Sequence, residues 1–428
     1  MNADVVVVGA GVIGSSIALE LARAGRSVVV VDKGAGPGHG STSASSAVVR
    51  FNFSTWDGVA TSWESKFCWE NWRDHLEAPD DLALARYHRT GLALLDVDVA
   101  PRERSLPLFD RAGVPYEEWD PATLAARVPG IDTGRYWPPA RIDDDRFWAG
   151  PDGDLGAVFT PDAGYVDDPR LAADNLAAAA RRLGVTFLHR QTVAEVVRTG
   201  GRAAGVRTAG GRTISADVVV NAAGPWSGGL NRLADVGGDF TVGVRPLRQE
   251  VHYVPTNPRP FVSMAIADMD LGTYLRPETG GVLVGGTEPE CEPLEWLENP
   301  EEAGELPKAA LFEAQVTRAA RRLPELGVPS RPKGVVGVYD VSDDWTPIYD
   351  RTELPGFYVA IGTSGNQFKN APVVGQLLTA IIDGTEAGAD HDAHPIQFVG
   401  KHSGLTIDLG SFSRKRPVNE HSTGTVFG

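Results

Sequence analysis

Four consecutive valines, residues 5–8, follow a single acid near the start of the chain, and a run with no polar side reads as a strand buried on both faces. From Val12 the period changes. Ile13, Ile17 and Leu21 recur at every fourth position, the stripe of a helix with one buried face, and Gly25 suits its C-terminal stop. Valines 28–31 repeat the buried strand and end at Asp32. Short strands are predicted at 186–188 and 192–197, the second running into a hairpin marked by Gly200-Gly201 and Gly210-Gly211. Residues 217–221 form a buried strand that ends in small residues, and residues 356–362 form another, followed by a loop over 363–371 and a helix over 372–382 with proline at its start. Trp63, Phe67 and the set Cys68, Trp72, Leu76 fall at four-residue spacing, which predicts a core-facing helix rather than an aromatic cage. Alternating strands occupy about 241–287, and the glutamates from Glu288 to Glu305 read as a solvated surface.

The first strand, helix and strand enclose Gly9-Ala10-Gly11-Val12-Ile13-Gly14. Gly9 makes a tight turn, Gly11 lets a pyrophosphate approach the backbone, Gly14 lets helix and strand pack closely, and Asp32 accepts a ribose hydroxyl. Gly9, Gly11, Val12, Ile13, Gly14, Asp32 and Lys33 are therefore expected contacts of a dinucleotide. A nicotinamide enzyme would continue from Asp32 into another helix and strand. This chain instead enters residues 34–46, small and hydroxylated, whose amides and hydroxyls suit phosphates or an isoalloxazine edge. That position favours FAD over a plain surface loop, and no phosphate-hydrolysing P-loop motif occurs.

Composition narrows the partners. The 428 residues are 42% hydrophobic and 22% charged, enough for two domains. A net charge of −16 disfavours nucleic acid or an anionic membrane as partner. The first residues lack a basic segment and no apolar run approaches the ~20 residues that cross a bilayer, so a cytoplasmic location is expected, with neither signal peptide nor membrane anchor. Two cysteines, Cys68 and Cys291, make no disulfide framework or zinc site. His391 and His394 beside Asp390 and Asp392 lie in a polar stretch without a distant third ligand, so no metal is expected.

Taken jointly, Gly9 to Gly14 with Asp32, the Ser/Thr loop into Val48-Val49-Arg50, Asn221-Ala222-Ala223-Gly224, and Gly362-Thr363-Ser364-Gly365-Asn366-Gln367-Phe368-Lys369 resemble the D-amino-acid oxidase superfamily, nearest to sarcosine oxidase and related flavin-dependent amine oxidoreductases. The resemblance spans most of residues 1–385. It implies non-covalent FAD and an α/β fold: a discontinuous Rossmann-like FAD-binding domain, at 1–85, 148–236 and 331–390, with a substrate domain at 86–147 and 237–330. The substrate domain would roof the flavin with a largely antiparallel sheet, and 391–428 would be a tail without counterpart. Further cofactor contacts are implied at Ser41, Thr42, Ser45, Ser46, Val193, Ala222, Ala223, Gly224, Trp226, Gly337, Gly365, Asn366, Gln367, Phe368 and Lys369. The family oxidises a C–N bond by moving a hydride to flavin N5.

Departures from the family shape the expectations too. Covalent members of the sarcosine oxidase branch carry a cysteine where this chain has Gly337. D-amino-acid and glycine oxidases grip the substrate carboxylate with an arginine near the position of Tyr339. The oxygen-activating lysine of the oxidases lies on a strand resembling 282–286, and no lysine occurs from Phe261 through Gly286, which leaves O2 or another acceptor open. The family's Ser-Gly-His-Gly-Phe-Lys reads Ser364-Gly365-Asn366-Gln367-Phe368-Lys369 here.

Five residues are candidates for the chemistry. Arg50 leaves an apolar pair, and a guanidinium in a buried setting needs a partner, which a substrate carboxylate or a structural ion pair supplies; in related sarcosine oxidases this position binds carboxylate. Lys369 stands in the same choice. By family analogy Tyr339 and Asp340 face the flavin; Asp340 either attracts a substrate ammonium or caps a turn. Tyr274 either lines the roof or packs in the core. The reading is an FAD-dependent oxidoreductase that dehydrogenates an amino-acid-like substrate, a secondary or N-methyl amino acid, to an imine. A 2-hydroxy-acid dehydrogenase and a non-redox flavin-binding scaffold are the alternatives.

Overall fold

A computed structural model describes residues 1–256 and 262–428. The valine runs lie side by side, as their double-sided burial requires. Strands run in the order Ile348–Arg351, Phe357–Ile361, Val218–Asn221, Val5–Val8, Val28–Val31 and Thr186–Leu188, all parallel except the first. Alternate side chains enter different cores. Val5, Val7, Val28 and Val30 pack with Ile17, Leu21, Leu176 and Leu377, on the helices Val12–Arg23, Pro169–Arg182 and Ala371–Glu386. Val6, Val8, Val29 and Val31 pack with Val196, Val206 and Ile214 of the three-stranded meander Val193–Thr199, Arg202–Thr208 and Thr213–Ser215.

The second sheet has nine strands and supplies the roof. Its long strand Val244–Pro255 pairs antiparallel with Gly281–Gly286, which continues through Thr273–Glu278 to Ala265–Asp268. Leu92–Leu95 then joins parallel, followed by Ala157–Thr160 and Glu117–Trp119. Helix Ala309–Arg322 covers this sheet with Phe312, Val316 and Ala319. The expected strand block at 241–287 includes 257–261, which lie outside the described residues.

Three expectations are corrected. Strand Gly334–Ser342 belongs to the roof sheet rather than to a nucleotide segment beginning at 331, because it pairs along its whole length with Val244–Pro255. Strand Ala157–Thr160 likewise falls in the roof, although it lies in the segment 148–236 expected for the nucleotide domain. Sheet membership is set by distant pairing partners, which local pattern does not carry. The tryptophan-bearing helix is two helices, Trp56–Glu70 and Trp72–Leu76, broken where Asn71 leaves helical geometry at φ −113°. Trp63, Cys68, Trp72 and Leu76 are nonetheless buried, with Phe67 packed beside them.

The segment 391–428 is built into the fold. Arg414, fully buried, joins Asp350, Asp392 and Asp239, and Phe412 packs on Tyr349 at 5.4 Å. Among the described residues, no helix is long and apolar enough to cross a membrane.

Candidate active site

Two neighbouring spaces share part of their lining. The larger forms where strand Val5–Val8 gives way to Gly9, at φ +113°, where a Cβ would sit 2.2 Å from the Ala222 carbonyl oxygen. Only a residue without a side chain makes this turn. A Cβ on Gly14 would sit 2.0 Å from the Gly9 carbonyl oxygen, so the helix rests directly on the turn. Gly11 puts no side chain of its own over the helix N-terminus, where the Val12 amide donates to Thr42 Oγ1 at 3.1 Å. Asp32 accepts from the Ala10 and Gly34 amides, at 2.6 and 2.5 Å.

These parts border a cleft of about 720 Å³. Gly9, Gly11, Val12, Ile13, Asp32 and Lys33 line it from the first motif, and Ser41, Thr42 and Ser45 from the hydroxyl loop. Val193, Ala222, Ala223, Gly224 and Trp226 line it from the later strands, and Gly365, Gln367 and Phe368 from the last loop. Lys33 Nζ lies 3.6 Å from the Trp226 ring and pairs with Glu301, which also accepts from Trp226 Nε1 at 2.9 Å. The donor set fits FAD: the amides of a helix N-terminus suit a pyrophosphate, and the Asp32 carboxylate suits ribose hydroxyls. Gly14 supports this cleft without lining it. Gly337 does not line it either; a Cβ there would meet Ala44 at 2.9 Å, so its small size serves packing against the turn Ser41–Ala44.

Ser45, Tyr339, Gly365 and Phe368 are shared with a second, small pocket of about 50 Å³. Ser46, Asn366 and Lys369, expected at the cofactor, line this pocket and not the cleft. Arg50 and Tyr274 line it as well. Arg50 is 4% exposed and donates to two carbonyls, of Asn52 and of Val426, the latter at 2.5 Å. Lys369 is 3% exposed and donates to the Asn366 carbonyl. Among the described residues neither cation has a carboxylate within 4.0 Å. Burial pushes the Arg50 guanidinium down to about 9. Burial, and then the charge of Arg50, holds the Lys369 ammonium well below its ordinary range. Phe53 faces both cations, its ring 5.1 Å from Arg50 Cζ and 4.9 Å from Lys369 Nζ.

The Tyr274 hydroxyl and Ser46 Oγ are 3.0 Å apart. Tyr339 packs against the bare face of Gly365, where a Cβ would come within 2.3 Å of its ring. Burial raises both phenols above their ordinary range. Asp340 lies elsewhere. Its carboxylate accepts from the Thr363 amide at 3.1 Å and from the Thr363 hydroxyl, and it borders the cleft rather than the pocket with the cations. The turn-fastening alternative is the one this geometry supports, and burial raises its carboxyl against those hydrogen bonds.

Sequence pattern missed two parts of the site. Glu288, expected on a solvated surface, is 8% exposed and sits at φ +51°. Its carboxyl accepts from Gln249 Nε2 at 2.9 Å and from the Val426 amide at 2.8 Å. Burial pushes it up to about 8, against the charge of Arg50. The buried strand Gly281–Gly286 delivers it inward before the chain turns to the surface, and that strand ending is the only signal the sequence held. Glu301, from the same acidic stretch, reaches the dinucleotide cleft. The other missed part is the segment that supplies Val426 and Phe427 to the pocket. Among the described residues, neither cysteine lines either space, and His39 is the only histidine that does.

A family model described as FAD dependent oxidoreductase matches residues 4–381. Glycine oxidase of Pseudomonas aeruginosa is 29% identical over 409 residues, covering 90% of this chain and 96% of that protein. Sarcosine oxidase subunit beta of Arthrobacter sp is 26% identical over 428 residues, covering 99% of this chain and 94% of that protein. Among solved structures, L-proline dehydrogenase from P. horikoshii shares the fold with a TM-score of 0.76 over 97% of both chains, at 21% identity.

Proposed function

The chain belongs to the FAD dependent oxidoreductase family, and from that premise we propose that it oxidises the C–N bond of a small amine bearing a carboxylate, a secondary or N-methyl amino acid. One observation carries the reading: Arg50 and Lys369 are buried together at one small pocket where, among the described residues, their hydrogen-bond partners are neutral carbonyls. Neutral partners do not offset the desolvation of two like charges, and an incoming carboxylate does.

When bound, FAD supplies the two-electron acceptor. The protein's share is to hold the substrate and to set its protonation. Arg50 and Lys369 fix the carboxylate, while Tyr339 and Gly365, common to pocket and cleft, mark the side from which the substrate meets the cofactor. The nitrogen must be neutral, since its lone pair forms the C=N bond as the C–H hydride departs. Two nearby cations oppose a third positive charge and favour that neutral form. Tyr274 and Tyr339, with raised phenols, remain hydrogen-bond donors and are not bases at neutral pH. Water then adds to the imine carbon and the amine leaves, completing the C–N cleavage.

Anaerobic mixing of the flavoprotein with N-methyl and cyclic amino acids, 2-hydroxy acids, and amines lacking a carboxylate tests this. Bleaching of the flavin by the first group is expected. Faster bleaching by hydroxy acids, or by simple amines, would refute the substrate class, and no bleaching by any would point to a non-redox scaffold.

A further inference from the structure

The pocket with the two cations is lined on one side by a segment outside the residues that match the family. Val426 bridges it: its amide donates to Glu288 at 2.8 Å and its carbonyl accepts from Arg50 at 2.5 Å. Phe427, 5% exposed, lays its ring 4.3 Å from Arg50 Cζ. The segment is fastened upstream as well, where the Asn419 side chain donates to Ser54 at 2.9 Å. Its last residues turn back on themselves: the Thr425 hydroxyl and carbonyl accept from the Phe427 and Gly428 amides, at 3.1 and 2.9 Å. A folded turn tied to the body at Asn419 and Val426 behaves as a wall.

The space it leaves is small, about 50 Å³. We propose that Phe427, positioned by the bridge of Val426 between Arg50 and Glu288, limits the size of the substrate and admits an amino acid whose side chain is no larger than a methyl group. The inference rests on the reading that a carboxylate binds at Arg50 and Lys369. Phe427 stands over the cation, so a substrate gripped there directs any larger side chain into the ring. A close-packed aromatic yields little space without displacement of its neighbours.

Unreactive carboxylates of increasing size, acetate, isovalerate and phenylacetate, are titrated by calorimetry into the FAD-loaded parent and into Phe427→Ala and Phe427→Leu. Methylamine, isobutylamine and phenethylamine form a matched series without the carboxylate. The parent is expected to bind acetate and to discriminate against the two larger acids. Phe427→Ala is expected to improve isovalerate and phenylacetate by at least about tenfold relative to acetate, a gain of about 1.4 kcal/mol, with Phe427→Leu between. If acetate binds and the order of the acids is the same in all three proteins, the size inference is overturned and the carboxylate reading stands. If the acids bind no better than the amines, the carboxylate reading fails, and the amine series decides the wall by the same comparison. Absence of any size-dependent change in either series overturns the role of Phe427.

Discussion

Replacing Glu288 by glutamine tests the electrostatics of the pocket most directly, because the change is nearly isosteric with the neutral acid. In the folded chain its carboxyl is pushed up to about 8 from an ordinary value of 4.5. A group with a raised folded-state value contributes stability that is present below the unfolded value and is lost as pH rises through the folded one. Between those limits the unfolded chain has released the proton and the native chain still holds it, so stability falls by about 1.4 kcal/mol per pH unit. From pH ~5.5 to ~7.5 the loss specific to Glu288 is about 3 kcal/mol. For a chain of 428 residues the unfolding entropy is about 0.9 kcal/mol/K, so that loss moves the Tm by about 3 °C. Glu288→Gln lacks this titration. Thermal unfolding of parent and variant with saturating FAD should show the variant gaining about 3 °C on the parent across that interval. A difference that stays constant would mean that Glu288 is ionised throughout and serves as the counter-ion of Arg50, which would undercut the case for an unpaired cation awaiting a carboxylate.

Arg50→Met and Lys369→Met should each weaken carboxylate binding about tenfold to a hundredfold, the worth of a charge-assisted hydrogen bond of about 1.5–3 kcal/mol, with the ratio of FAD to protein unchanged; calorimetry with acetate checks both, and parent-like affinity in either would remove that residue from the grip. Gly9→Ala should abolish FAD loading, since the new Cβ would meet the Ala222 carbonyl oxygen at 2.2 Å; a normally yellow variant would contradict this account of the turn. Acid or heat should release the flavin, because among the described residues no cysteine lines either space. Flavin fluorescence that survives on a denaturing gel would point instead to a covalent link at His39.

The dinucleotide half of this protein is legible in its sequence because its constraints are local. Gly9, Gly11 and Gly14 are dictated by one turn, Asp32 lies one strand away, and the valine runs announce burial on both faces. Arg50 and Lys369 stand out as charges beside apolar residues, so each was identifiable as a cation in want of an anion. Composition and period did not carry their meeting at one pocket, since 319 positions separate them; only the family resemblance implied it, and the packed sheets are what bring the two side chains together. The same holds for Gly334–Ser342, which joined the roof through pairing with Val244–Pro255. Glu288 illustrates the limit most plainly: it begins an acidic stretch whose composition signals a surface, yet it is carried inside by the end of a buried strand. Val426 and Phe427 carry no motif at all, and a backbone carbonyl that meets a guanidinium has no signature in a side-chain alphabet. Composition and period determined which groups this chain owns and which segments it buries; the tertiary structure alone decided which of them share a low-dielectric pocket, where charge, size and hydrogen bonding act over a few ångströms.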